Sequence, residues 1–353
     1  MARRPMDLPK QYPFLARASR RGRTQGSVLF LTLWALCFLA ALGVILGTGI
    51  RQKLTLVYRL DEREKLRLIA EAGIKKGIMW LHKEEATGFN ALKDPWSNNA
   101  AAFKDVFIGD GKFNICYNVS DESGNASVRY GLIDEERKIN INVAQPGVLK
   151  RLFQAVLHCD VMEAQELAAC IVDWRDKDSE LSIPVGSAED SYYANLENPY
   201  RIKNAPFEVK EELLLVKGMR KDIYVSIQGY VTIYGDGRVN INTASKPVLL
   251  ALGLSVSLAD KITEFRRGAD LIEGTPDDNI FGDASTIVNT LKKVYPCNDK
   301  EVAELTLLAE RYLSTSSSTF TVISNAQLRN KKNTDAIACV VDREGNMLRW
   351  EES

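Results

Sequence analysis

Between Ser27 and Ile50 this sequence has no charged side chain, and before that stretch, in residues 1–26, it has a single acid, Asp7. The first absence excludes an ordinary surface helix. At about 1.5 Å of rise per residue, the twenty-four uncharged residues are long enough to cross a bilayer core of roughly 30 Å. The second absence leaves Arg3, Arg4, Lys10, Arg17, Arg20, Arg21 and Arg23 almost unopposed. A basic flank of this kind holds the short N-terminal arm in the cytoplasm, so the chain beyond Arg51 is expected to be exported, anchored to the membrane by one span. A cleaved secretory signal fits poorly, because its apolar core would be about 7 to 15 residues and would end in a small-x-small site.

Histidine is nearly missing. His82 and His158 are the two present, and no G-x-S-x-G elbow, P-loop or H-E-x-x-H stands in the chain, which removes the commoner hydrolase and nucleotide chemistries. We expect no enzyme. Of six cysteines Cys37 lies in the apolar span, and Cys116, Cys159, Cys170, Cys297 and Cys339 remain, with no C-x-x-C spacing for a metal. Five thiols cannot all pair within one chain, and connectivity is not readable from spacing. Residues 1–26 hold seven of the 46 bases and one of the 46 acids, leaving 39 bases against 45 acids. A slightly acidic domain is poorly suited to gripping phosphate backbones.

Proline is absent from residue 14 to residue 94, so nothing interrupts the helical pattern that follows the span. Leu66, Ala70, Gly73, Gly77 and Leu81, widened by Ile69, Ile74 and Ile78, recur at three and four residues. One helix is predicted from about Ser27 to Glu85, its second half packing on a sheet through the stripe and exposing Glu62, Glu64, Lys65, Lys75, Lys76 and Glu84. The small residues of the stripe imply close approach of another element. Lys112 to Val119 and Ala126 to Asp134 alternate as strands of a hairpin turning at 121–125. Thr319 to Ser324, Ala336 to Asp342 and Met347 to Trp350 are strands near the other end, beyond a Ser314 to Ser318 linker. The fold class is therefore α+β, an antiparallel sheet on a long helix, interrupted by a large and mostly helical domain. The expected divisions are 1–26, 27–86, 87–136, 137–313 and 314–353.

The interrupting region carries an internal repeat. Lys138-Ile139-Asn140-Ile141-Asn142-Val143-Ala144 returns as Arg238-Val239-Asn240-Ile241-Asn242-Thr243-Ala244, each copy followed by a proline, Pro146 or Pro247, and an apolar helix. The asparagines are expected to be structural, tying each loop to its helix N-terminus. Between the copies lie Asp173-Trp174-Arg175-Asp176, Asn198-Pro199-Tyr200, Asn204-Ala205-Pro206-Phe207 and Glu212 to Met219, the last read as a helix capped at Gly218.

Arg23-Thr24-Gln25-Gly26, abutting Ser27-Val28-Leu29-Phe30-Leu31, resembles a type IV prepilin signal. That resemblance implies cleavage by a prepilin peptidase after Gly26, with Ser27 as a methylated mature N-terminus. Pilins carry glutamate at the fifth mature position, where it is thought to neutralise a neighbour's terminal amine; here the position is Leu31. An unpartnered acid at membrane depth costs about 2.5 to 3.5 kcal/mol on insertion scales, so leucine suits a subunit with no neighbour above it. With the ordered segments from Gly26 to Trp350, the chain resembles the type II secretion protein K family. The resemblance implies a pilin-like sheet interrupted by a helix-hairpin-helix-like (SAM-like) domain, and a mechanical function as the minor pseudopilin that caps the pseudopilus tip and helps initiate its assembly. The implied partners are minor pseudopilins I and J, then H and the major pseudopilin, together with the prepilin peptidase and the inner membrane. Contact faces are expected on the small-residue stripe of the helix and one side of the insertion.

The same resemblance implies calcium. Asp173, Asp176, Asp178 and Glu180 place four carboxylates within eight residues, and Asp277 and Asp278 centre a second acidic loop with Asp270, Glu273, Asn279 and Asp283. Oxygen-rich loops suit a hard cation, although neither has EF-hand offsets. The rival reading is a membrane-anchored helix-hairpin-helix protein that binds DNA for uptake. It rests on Pro247 to Gly253 and Leu258 to Arg267, with Lys261, Arg266 and Arg267 as the nearby bases, and the charge balance argues against it.

Overall fold

The uninterrupted pattern after the span does form one helix, α1 (Gln25–Lys83). The structure is a computed structural model that describes residues 25–83, 88–120, 126–329, 331 and 333–352. The expected leader up to residue 24 lies outside them, as does the predicted helix end at Glu85. The chain divides into two compact units, one up to Asp61 and one from Glu62. In the first unit the apolar side chains of α1 are exposed, Leu29, Phe30 and Leu31 among them. Among the described residues, α1 is the one helix long and apolar enough to cross a membrane. Thr32 and Thr48 turn their hydroxyls onto the Leu29 and Ile45 carbonyls, each at 2.9 Å, which satisfies them without water.

In the second unit α1 buries the predicted stripe, Leu66, Ala70, Gly73, Ile74, Gly77 and Leu81. Their cover is a sheet. After α2 (Ala100–Phe103) come β1 (Val106–Ile108), β2 (Gly111–Ile115), β3 (Tyr117–Ser120), β4 (Ala126–Arg129) and β5 (Ile133–Asp134). The sheet is completed from the far end of the chain by β10 (Thr319–Leu328), β11 (Thr334–Asp342) and β12 (Met347–Glu352), in the order β1-β2-β10-β11-β12 with β5 also on β10. All its pairings are antiparallel. A Cβ on Gly73 would lie 2.9 Å from Ser324 Cβ and 3.0 Å from Phe113 Cδ2, and one on Gly77 would lie 2.7 Å from Val322 Cγ1. Glycine lets the helix backbone rest directly on β10.

Two expectations are corrected here. The small-residue stripe is not free for partner subunits, because the chain's own sheet covers it. The predicted turn at 121–125 lies outside the described residues, and of the two strands expected to flank it only β3 and β4 pair with each other, while β2 pairs with β1 and β10.

Between β5 and β10 lie β6 (Ile139–Asn140), α3 (Pro146–Leu157), α4 (Val161–Arg175), α5 (Asp190–Tyr193), α6 (Lys221–Ile227), β7 (Val231–Thr232), β8 (Val239–Asn240), α7 (Lys246–Leu252), α8 (Val256–Arg266), α9 (Ile287–Val294), α10 (Asp299–Arg311) and β9 (Leu313–Ser314). They share one apolar core, separate from the core under the sheet. The segment read as a helix ending at Gly218 is instead a 3-10 turn at Lys210–Leu215, and Gly218 supplies a positive φ of 80° to the tight turn after it.

The repeat is structural in detail. Parallel pairs β6–β7 and β8–β9 open its two copies. Asn142 exchanges hydrogen bonds with the backbone of Phe207, accepting from its N–H at 2.7 Å and donating to its carbonyl at 3.0 Å. Asn242 does the same with Phe281, at 2.8 and 3.0 Å. The asparagines thus hold distant backbone segments rather than the helix N-termini expected. At the end of α4, Arg175 donates to the Ile141 and Ala144 carbonyls; at the end of α8, Arg266 donates to those of Ile241 and Ala244. Each arginine closes its copy.

The chain enters and leaves the helical region side by side. Asp134, Glu135 and Glu136 are buried there. Asp134 accepts from Ser317 Oγ at 2.7 Å, Glu136 from the Ser318 and Thr319 amides, and Glu135 from Thr321 Oγ1 at 2.6 Å. The expected Ser314 to Ser318 linker is therefore no loose tether. Ser314 belongs to β9, and Thr315 and Ser317 are buried.

Candidate metal centre

The loop that follows α4 brings three carboxylates together. Ligand oxygens of Asp176, Asp178 and Glu189 lie within 4.8 Å of one another. Asp176 comes directly after the Arg175 clamp, which fixes where the loop begins, and Glu189 precedes α5. Glu189 is 5% exposed, yet among the described residues both of its carboxylate oxygens lack a hydrogen-bond partner, as does Asp176 Oδ1. Asn204 donates from Nδ2 to the Asp178 carbonyl at 3.0 Å and likewise leaves its buried Oδ1 unpartnered. Burial, reinforced by the charges of Asp173, Asp176 and Asp178, pushes Glu189 up to about 7. Burial, then Asp178 and Asp173, pushes Asp176 up to about 6. Bare buried carboxylates are costly without a positive charge, so the donor set fits a hard cation.

The other predicted ligands of this loop have different places. Asp173 spends both oxygens on the Ser182 and Ala188 amides, at 2.9 and 3.1 Å. Glu180 is exposed and joins the group only through its amide, which donates to Asp178 Oδ1 at 2.9 Å. Glu189 was missed from the sequence, since eight residues of loop separate it from Glu180.

The second acidic loop follows α8, the matching position of the second repeat. Asp270, Asp277 and Asp278 also converge, but the loop satisfies them itself. Asp277 accepts from the Ala269 and Asp270 amides at 2.8 and 3.1 Å and from Thr275 Oγ1 at 2.7 Å, and these donors, the hydroxyl first, lower it to about 2. Asp278 accepts from the Gly274 amide at 2.7 Å, and Glu273 pairs with Arg266. Asn279 donates to the Phe265 carbonyl at 2.9 Å, and Asp283 accepts from the Ser285 amide at 2.7 Å. Where the first repeat has Asp176 after its arginine, the second has Arg267.

Two of the three bases invoked for DNA binding, Lys261 and Arg266, are engaged internally. Lys261 donates to Glu301 at 2.8 and 2.9 Å and to the Pro296 carbonyl at 2.9 Å. Arg266 is buried in its clamp, and Arg151 donates to the Ala251 and Leu252 carbonyls beside Gly253. The apolar residues of the hairpin, Val248, Leu249, Leu252, Leu258 and Ile262, join the core of the helical region. Among the described residues no cysteine is disulfide-bonded.

A sequence-family model described as "Type II secretion system (T2SS), protein K" matches residues 111–236, which contain the whole Asp176–Asp178–Glu189 group. Type II secretion system protein K of Aeromonas hydrophila is 30% identical over 204 residues, 55% of this chain and 57% of that protein. Over these stretches the chain is homologous to type II secretion system protein K. The protein K of Pectobacterium carotovorum subsp. carotovorum is 28% identical over 192 residues, 54% of each chain, so this chain spans a little over half the length of the curated relatives it matches. A chain of the GspK-GspI-GspJ complex from the type 2 secretion system of enterotoxigenic Escherichia coli has the same fold. Its TM-score is 0.59, covering 86% of this chain and 99% of that one at 16% identity.

Proposed function

We propose that this chain is the minor pseudopilin that caps the tip of a type II secretion pseudopilus and helps initiate its assembly, a mechanical and non-catalytic role. The observation that carries the reading is the joining of an apolar span, opening directly behind Gly26, to a second unit homologous to protein K. The basic arm stays cytoplasmic, the prepilin peptidase cuts between Gly26 and Ser27, and the folded unit stands in the periplasm. Leu31 fits the top position, where no neighbouring amine asks for an acid. The I and J minor pseudopilins are the direct partners, with H and the major pseudopilin below. Because β10 covers the small-residue stripe, partner helices meet the opposite face of α1, where Leu68 and Met79 are 52% and 53% exposed.

A calcium ion is held by Asp176, Asp178 and Glu189, with Asn204 Oδ1 as a neutral oxygen beside them. Bound there, it supplies the positive charge that the buried carboxylates lack. The assembly reading is tested by co-expressing the full chain with its I and J partners in membranes and measuring the detergent-extracted complex by light scattering. One copy of each in a single species is expected. A chain that runs alone under those conditions contradicts the tip assignment.

A further inference from the structure

We propose that Asp173 and Lys217 are positioning residues for Glu189, setting the affinity of the Asp176–Asp178–Glu189 site and its preference for calcium over magnesium without touching the ion. The inference rests on the calcium reading above. Glu189 has no hydrogen bond of its own to aim its carboxylate, so its place is set by the backbone that delivers it, the segment 182–188.

That segment is held by opposite charges. Asp173, fully buried in the last turn of α4, gathers the amides at its two ends, Ser182 to Oδ1 and Ala188 to Oδ2. Lys217 gathers the carbonyls between them, donating to Gly186 at 3.0 Å and Ser187 at 3.3 Å, while its ammonium lies 4.8 Å from the Tyr192 ring centroid. Ser187 Oγ adds a rung, donating to the Ile183 carbonyl at 2.8 Å. A segment held at both ends and in the middle cannot shrink around a smaller ion. Calcium tolerates such a frame, whereas magnesium demands short, nearly octahedral contacts.

The second repeat shows that this frame is not needed for the fold of the repeat itself. Its residue at the Asp173 position is Glu264, which is exposed, and its loop is held by Asp277 and by the Arg266–Glu273 pair. An acid buried at this position in one copy only, directly behind the carboxylate group, is explained by what it does for Glu189.

The test uses the full chain in detergent. Calcium chloride and magnesium chloride are titrated by calorimetry into the parent, Asp173→Asn, Lys217→Met and Glu189→Gln, with thermal unfolding in EDTA as the control for folding. Asparagine keeps the shape and one acceptor, and methionine keeps the apolar stem. Both variants should unfold cooperatively in EDTA, bind calcium about ten-fold or more weakly, as is common for groups behind a ligand, and lose discrimination against magnesium. Glu189→Gln should lose binding. Parental affinity and selectivity in both positioning variants would overturn the inference while leaving the site intact. A parent chain that binds no calcium would overturn both. If Asp173→Asn does not fold, Lys217→Met decides alone.

Discussion

Glu136 shows how a single buried side chain can set the pH response of the molecule. Its carboxylate is 5% exposed and accepts from the Ser318 and Thr319 amides at 2.9 and 3.2 Å and from Ser318 Oγ at 2.6 Å. Burial first, then the neighbouring charge of Asp134, pushes it from 4.5 up to about 7. A carboxyl raised on folding holds a proton that the unfolded chain has already released. Stability therefore falls as pH rises from about 4.5 to about 7 and levels off above. Glutamine can keep all three bonds, its oxygen taking the two amides and its nitrogen donating to Ser318 Oγ. Glu136→Gln should match the parent at pH 5 and exceed it at pH 8, by no more than roughly 3 kcal/mol. Thermal unfolding of the full chain in detergent at both pH values measures this. The same loss with pH in parent and variant would contradict it.

Residue identity was legible where it depended on local spacing. The four acids at 173–180 led to a loop in which carboxylates converge, but spacing alone does not tell a carboxylate with open oxygens from one that, like Asp173, accepts from two amides. Glu189 and the Arg175 and Arg266 clamps were missed. A signal for the clamps was present, since Ile171-Val172-Asp173-Trp174-Arg175 and Ile262-Thr263-Glu264-Phe265-Arg266 share both the isoleucine and the arginine at the same spacing.

At the scale of elements, α1 and its sheet follow from periodicity. The stripe read at three and four residues is the face that is buried, because a helix with one apolar side has one way to shed it. Gly73→Ala should test how tightly that face is packed. Alanine gains about 1 kcal/mol of helix propensity, but its Cβ would meet the Ser324 and Phe113 side chains inside contact distance, and overpacking costs about 1 to 3 kcal/mol. We expect a net loss of about 1 kcal/mol, read as a lowered unfolding midpoint; an unchanged or higher midpoint would show that helix and sheet can separate freely. Partnership was less legible than periodicity. The strand pattern at 112–134 looked like one hairpin because its turn is local, whereas β2 finds β10 more than two hundred residues away in sequence. The apolar run Leu213 to Val216 looked helical, yet among its residues the core takes only Leu213 and Val216, which a 3-10 turn delivers with less backbone.

At the scale of the whole molecule, the interruption of the sheet was legible because strands stood on both sides of a helical region. The clasp that makes the interruption rigid was not. Asp134, Glu135 and Glu136 resemble any solvated acidic run until Ser317, Ser318, Thr319 and Thr321 are brought opposite them. The bonds between them tie the entry and the exit of the helical region to each other and to β10. The account as a whole depends on the chain being processed as a pilin-like subunit. The most direct measurement is the intact mass of the protein taken from membranes with and without an active prepilin peptidase. The account predicts a form beginning at Ser27, with a methylated amine, only when the peptidase is active. An intact leader in both preparations would contradict it.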